Sequence, residues 1–252
     1  MQAVRGRNWG WAVLLLAGTL QAQTLTVCAE RWLPFIYRSD AGEVQGLAAQ
    51  VLQRVAAQRD VTLHFQFLSI EGCYKLAAAG RADVVAFATA QASPAGWQQS
   101  RQPLVYWPLY AWVHSGVTEQ RYRDLKYFTG LRVAWVASYD YPQLLIQQTH
   151  WRRISAPDSL ASLTMLAGGR VDVVFDDYLA TQDIARQVSG RVKRLDGLVG
   201  SYLEQFSYRP GLGWLRDGVD SEATRLAETG ALDHFYLQNF RISWEQVRNA
   251  PH

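Results

Sequence analysis

Residues 156–178 read APDSLASLTMLAGGRVDVVFDDY, and the fold turns on this stretch. Leu160, Leu163 and Leu166 recur three apart, the spacing of one helix face. Gly168 and Gly169 close that helix, because glycine tolerates a left-handed cap. Val171, Val173, Val174 and Phe175 then form a short apolar run that reads as a buried strand. Asp176, Asp177 and Tyr178 follow at its C-terminal end, the edge where open α/β sheets bind ligands.

The unit occurs twice. Residues 72–87 read GCYKLAAAGRADVVAF, again a helix, Ala-Gly-Arg, one residue and Asp-Val-Val. Two matching units about 90 residues apart predict an α/β fold of two Rossmann-like lobes with a central cleft.

A chain of 252 residues that is 49% hydrophobic can bury one large core or two modest ones. The net charge is +3, and +1 without Arg5 and Arg7. The basic residues are scattered, which argues against a nucleic-acid partner. Ten tryptophans either pack the core or line a cleft for a flat ligand, packing being the commoner use. No residue pattern calls for a metal or a cofactor.

Residues 1–22 read as a secretory signal: Arg5 and Arg7, then the apolar run Trp11–Gly18, then Ala22 before the cut. The other reading is an uncleaved N-terminal anchor. Export gives the two cysteines meaning. Cys28 ends the first strand and Cys73 opens the helix of the first repeated unit, both at the C-terminal edge of one sheet. An oxidising compartment would allow a Cys28–Cys73 disulfide. Two free buried thiols and a catalytic cysteine are the alternatives, and no histidine is placed by sequence to serve such a nucleophile.

In chain order, 24–29 is strand one, 47–55 a helix, 61–68 strand two and 84–87 strand three. Residues 103–114 are dense in aromatics and carry the chain across to a second lobe. That lobe opens with a strand at 131–136, followed by the loop Ala137–Pro142. Residues 192–199 form another strand, 204–215 return to the first lobe, and 220–240 form a closing helical region. The predicted division is a signal at 1–22, lobe one from 23–114 and 205–252, and lobe two from 115–204.

The order of elements resembles the family-3 periplasmic solute-binding proteins, which deliver amino acids and similar solutes to ABC importers. The resemblance rests on the signal, Leu25-Thr26-Val27, Trp32-Leu33-Pro34-Phe35, Gly46-Leu47, the two Gly-Arg-x-Asp units, and Gly230-Ala231-Leu232-Asp233. It spans essentially all of the mature chain and implies a type II periplasmic-binding-protein fold. It further implies an aromatic wall at Trp32 and Phe35, with Tyr37 beside them. A hydrogen-bonding turn would fall at Phe87, Ala88 and Thr89, and an anion-receiving loop at Ser138, Tyr139 and Asp140. Asp177 would pair with a ligand ammonium, since a desolvated cation needs a charge partner. The alternative for Asp176 and Asp177 is an N-cap on the next helix.

Two departures stand out. The arginine that clamps an α-carboxylate in amino-acid binders falls on Pro94 or Ala95, and Arg101 belongs to the next segment. The acidic residue usual after Gly46-Leu47 is replaced by Ala48 or Ala49. A site less charged than an amino-acid site is therefore expected, with Trp32, Phe35, Trp97, Tyr139 and Tyr141 as walls for an aromatic, cationic or uncharged solute. The function implied is a monomeric, non-catalytic periplasmic binder that closes on a small solute by hinging at 112–116 and 204–209, with an ABC permease as partner. The alternatives are an enzyme on the same fold, resembling cyclohexadienyl dehydratases, with Glu30, Glu71 or Asp177 as candidate acids, and a sensor or accessory module with a degenerate pocket.

Overall fold

A computed structural model describes residues 23–89, 92–188 and 190–251; residues 1–22, the expected export signal, lie outside the described residues. Two sheets carry the molecule. The first runs in the order Thr62–Phe67, Thr24–Ala29, Val84–Ala86, Phe206–Tyr208, Gln98–Gln99. Its first three strands are parallel, and the return strand Phe206–Tyr208 is antiparallel to Val84–Ala86. The second runs in the order Val192–Arg194, Val105–His114, Val173–Asp176, Arg132–Val136, Arg152–Ala156. Gly200–Glu204 pairs with the first half of the long strand Val105–His114.

The repeated unit has the same local physics in both copies. Helix Ile70–Ala78 is capped by Ser69, whose side chain accepts from Gly72 N, and helix Ser159–Ala167 by Asp158, which accepts from Ala161 N at 2.8 Å. Each helix ends against a left-handed glycine, Gly80 at φ 67° and Gly169 at φ 68°. The aspartate that follows then ties its strand to a parallel neighbour in the same sheet. Asp83 N donates to Thr26 O and Asp83 Oδ2 accepts from Thr26 N; Asp172 does the same with Arg132 O and N. Arg209 and Arg132 complete the two carboxylates. The paired aspartates are thus structural groups at the N-terminal end of their strands.

Several expectations are corrected. The long strand Val105–His114, assigned by sequence to the first lobe, is hydrogen-bonded in the second sheet, with Trp112 opposite Val174 and Arg194. Val105 and Tyr106 pack in the first core, whereas Trp107 and Leu109 pack in the second. The chain therefore crosses near Leu104–Tyr106 and Glu204–Phe206, and residues 112–114 of the expected hinge lie inside a sheet. Leu160 is 45% exposed, so its helix buries Leu163 and Leu166 with Met165 instead. The first repeated helix begins at Ile70, which puts Cys73 in its interior. The closing region is two helices, Gly213–Glu228 and Ala231–Phe240, broken at left-handed Gly230.

The disulfide is present: Cys28 and Cys73 are bonded, with Cα atoms 5.4 Å apart and both side chains fully buried. It joins the end of the first strand to the helix beside it. No helix among the described residues is long and apolar enough to cross a membrane.

Candidate functional site

The C-terminal edges of the two sheets face each other across a cavity of about 300 Å³. The first half contributes Glu30, Arg31 and Trp32 after strand Thr24–Ala29, Ile70, and Ala86 and Phe87 after the third strand. The second contributes Trp107, the loop Ser138–Tyr139–Asp140, the helix start Asp158–Leu160, and Asp176 and Asp177. Glu204 enters from the crossing strand.

Of the residues expected at the site, Trp32, Ser138, Tyr139 and Asp177 line this cavity. Phe35 does not. It is fully buried behind Trp32 and Phe87, stacked on Phe240 at 5.6 Å between ring centres. The cause lies at Gly46: with φ 110° it lets the next helix approach so closely that a Cβ would sit 2.4 Å from Phe35 O. Ala48 N then donates to Phe35 O, and the loop turns Phe35 inward. Ala88 is buried beside the disulfide, and Thr89 is half-buried. Tyr37 bonds Gln45, Trp97 packs near the disulfide, and Tyr141 sits in the second core against Trp135. Glu71 is exposed and paired with Lys75, away from the cavity.

Two contacts span the cleft. Trp32 Nε1 donates to Asp177 Oδ2 at 2.8 Å, and the Tyr139 hydroxyl lies 3.5 Å from Glu30 Oε1. Tyr139 also meets Ser159 Oγ at 3.3 Å, and Ser159 donates to Asp176 Oδ2. Aromatic pairs flank these groups, Trp32 edge-on to Phe87 in one half and Trp107 edge-on to Tyr139 in the other.

The expectation of a weakly charged site is overturned. Glu30, Asp140, Asp158, Asp176, Asp177 and Glu204 line the cavity, and Arg31, exposed, is the one basic residue among the lining residues. Burial pushes Glu30 up to about 7, against the Ile70 N–H that opposes it, and Asp176 and Asp158 add to the rise. Burial also raises Glu204 well above the carboxylate range, helped by Asp140 and Glu30, and raises Asp140 itself. Tyr202 is pushed up to about 12 by burial, with Asp140 and Glu204 contributing. Glu30 was legible from its place directly after a strand. Glu204 carries no local signal, because it reaches the cavity only through the pairing of Leu203 and Glu204 with Tyr106 and Val105.

The arginine departure holds in three dimensions. Arg101 bonds Asp217 at 2.7 Å and Asp220 at 3.0 Å, outside the cavity.

Solved structures share this fold. An arginine-binding protein from T. maritima, studied as a mutant, superposes with a TM-score of 0.66 at 16% identity, over 86% of this chain and 95% of that one. An ancestral arginine-binding protein bound to glutamine gives 0.66 at 19%, over 87% and 99%. The substrate binding protein of an amino acid ABC transporter gives 0.65 at 14%, over 86% and 99%. The chain has the type II periplasmic-binding-protein fold. No protein-family model and no curated protein sequence matches it. The cavity lies between the two sheets, and the repeated Asp83 and Asp172 lie at the opposite ends of their strands.

Proposed function

We propose that the chain is an extracytoplasmic solute-binding protein, exported by residues 1–22, that captures a small polar solute by lobe closure and presents it to an ABC importer. The lobes are residues 23–104 with 205–251, and 105–204, flexing where the long strand leaves the first core. The observation that carries this reading is the cavity lined from both halves and bridged by Trp32 and Asp177. Trp32, Ser138, Tyr139 and Asp177 are the wall and polar groups that meet the solute. No cofactor or metal takes part.

A thermal-shift screen of the mature chain over amino acids, amines, aromatic acids and sugars tests the proposal. A solute at about 100 times its Kd stabilises by about 2.7 kcal/mol. Small-angle scattering should show compaction with the same solute. A screen in which no solute stabilises or compacts the chain overturns it.

One observation favours a second reading. Glu30, poised near neutral pH in a cleft, has the property of a general acid, as a dehydratase on this fold would need. Among the described residues lining the cavity the one arginine is Arg31, which lies exposed, whereas such an enzyme would need an arginine to bind the carboxylate. Incubation with prephenate or arogenate separates the two; turnover would replace the binding reading.

A further inference from the structure

The charge and hydrogen bonding of the cavity say more about its occupant. We propose that the cleft selects a small linear dication without a carboxylate, an aliphatic diamine or short polyamine, and rejects the α-amino acid bearing the same chain. This rests on the solute-binding reading above.

The first argument is the distribution of negative charge. Asp140 and Glu30 both act on the buried Glu204, and Asp176 and Asp158 act on Glu30. The carboxylates enter the cavity from separate segments of both halves: Glu30 after the first strand, Asp140 in the loop of the second half, Asp158 at a helix start, Asp176 and Asp177 at the end of their strand, and Glu204 on the crossing strand. A monocation would neutralise one of them and leave the rest repelling. A ligand with ammonium groups at both ends and methylenes between them meets carboxylates of both halves. The rings of Trp32, Phe87, Trp107 and Tyr139 supply the apolar and cation–π faces its stem requires.

The second argument is that several of the groups expected to receive a carboxylate are already used. In the turn after the third strand, Ala88 N donates to Gln205 O at 2.8 Å and Thr89 N donates to Tyr74 Oη at 3.1 Å. In the loop of the second half, Tyr139 N donates to Val136 O at 3.1 Å. Arg101 is held by Asp217 and Asp220. A ligand carboxylate would face Asp140, Glu204 or Asp176 instead, with the exposed Arg31 as its single cation. The cavity of about 300 Å³ lies at the small end for ligand sites, which suits a short chain.

The test uses matched pairs that differ by one carboxylate: putrescine against ornithine, cadaverine against lysine, agmatine against arginine. Each is titrated calorimetrically into the mature chain at one fixed, moderate salt concentration, with Mg²⁺ and Ca²⁺ alone as controls. The expected result is that at least one amine binds about tenfold or more tightly than its amino acid. Amino acids binding as well as the amines, an uncharged solute binding in their place, or a divalent ion giving the same heat overturns the dication, while the solute-binding reading stands. A chain that binds none of these and nothing in the wider screen sinks both. Glu204→Gln should weaken the amine about tenfold and leave the ligand-free melting temperature equal or higher; an unchanged affinity refutes the role of these carboxylates. Asp140→Asn gives the same reading should Glu204→Gln fail to fold.

Discussion

Trp32 of the first half and Asp177 of the second are joined by a hydrogen bond of 2.8 Å, a direct bridge across the cavity between the two sheets. Asp177 is 2% exposed, so its charge is desolvated and the bond to it is of the stronger, charge-assisted kind. Such a bond stabilises by about 1.5–3 kcal/mol, which is roughly a tenfold or greater bias toward the closed form. Trp32→Phe keeps the ring contacts with Phe35 and Phe87 and removes only the donor. The variant should open: its ligand-free radius of gyration should exceed that of the wild type. Superimposable scattering curves would show that the bridge does not set the closed population.

The repeated aspartates make a prediction of a different kind. Asp172 accepts from Arg132 N at 2.7 Å, Nε at 3.0 Å and Nη2 at 2.6 Å, at the end of its strand away from the cleft. Asp172→Ala should cost about 1–3 kcal/mol in urea unfolding and leave ligand affinity unchanged. Arg132 holds the Asp172 carboxyl below its usual range. Its contribution is therefore present above the unfolded carboxylate value and lost as pH falls through the lowered one, so variant and wild type should converge in acid. A loss of affinity with stability intact would mean that Asp172 belongs to the site.

That pair also explains what the sequence could reveal. The Gly-Arg-x-Asp-Val-Val unit is legible because its sequence pattern is local: a capped helix, a left-handed glycine and a short buried strand; the bond from its aspartate to a strand 40 or 57 residues away is made only in the fold. Two copies of a local device suffice to announce two sheets. The site is assembled differently. Glu30, Asp140, Asp158 and Glu204 come from four separate segments, and their mutual repulsion exists only once the halves meet. Reading the cleft as weakly charged followed from asking only about the positions after Gly46 and before Pro103. Ala48 and Ala49 are fully buried, with no room for an acid, while the charge enters from the crossing strand. Phe35 was misplaced for a related reason: no periodicity tells which way a loop folds, and the deciding contact is that of Gly46 with Phe35 O, eleven residues apart.

The Cys28–Cys73 bond spans 45 residues and precedes Glu30 and Trp32 by only a few positions. On the chain-entropy account, a loop of that length stabilises by about 4 kcal/mol. The double variant Cys28→Ala, Cys73→Ala should lose roughly that much in denaturant unfolding. Thiol titration of the exported, denatured wild type should find no free thiol before reduction. Two titratable thiols would refute the bond in the exported protein.

The last prediction follows from the buried carboxylates facing one another. Burial, with Asp176 and Asp158 adding to it, raises the pKa of Glu30 from the ordinary 4.5 to about 7. Between those values the folded ligand-free chain holds a proton that the unfolded chain has released. Stability must then fall as pH rises through that window, and the raised Glu204 and Asp140 act in the same direction. Ligand-free melting temperature should therefore be higher near about pH 5 than near about pH 8. A cationic ligand favours the ionised carboxylates, so its affinity should run the other way, rising across the same interval. Glu30→Gln should flatten both profiles, because the amide neither titrates nor repels. Ligand-free stability that climbs steadily toward alkaline pH would mean that the cleft carboxylates are ionised without a guest, and that water, not a cation, is what satisfies them.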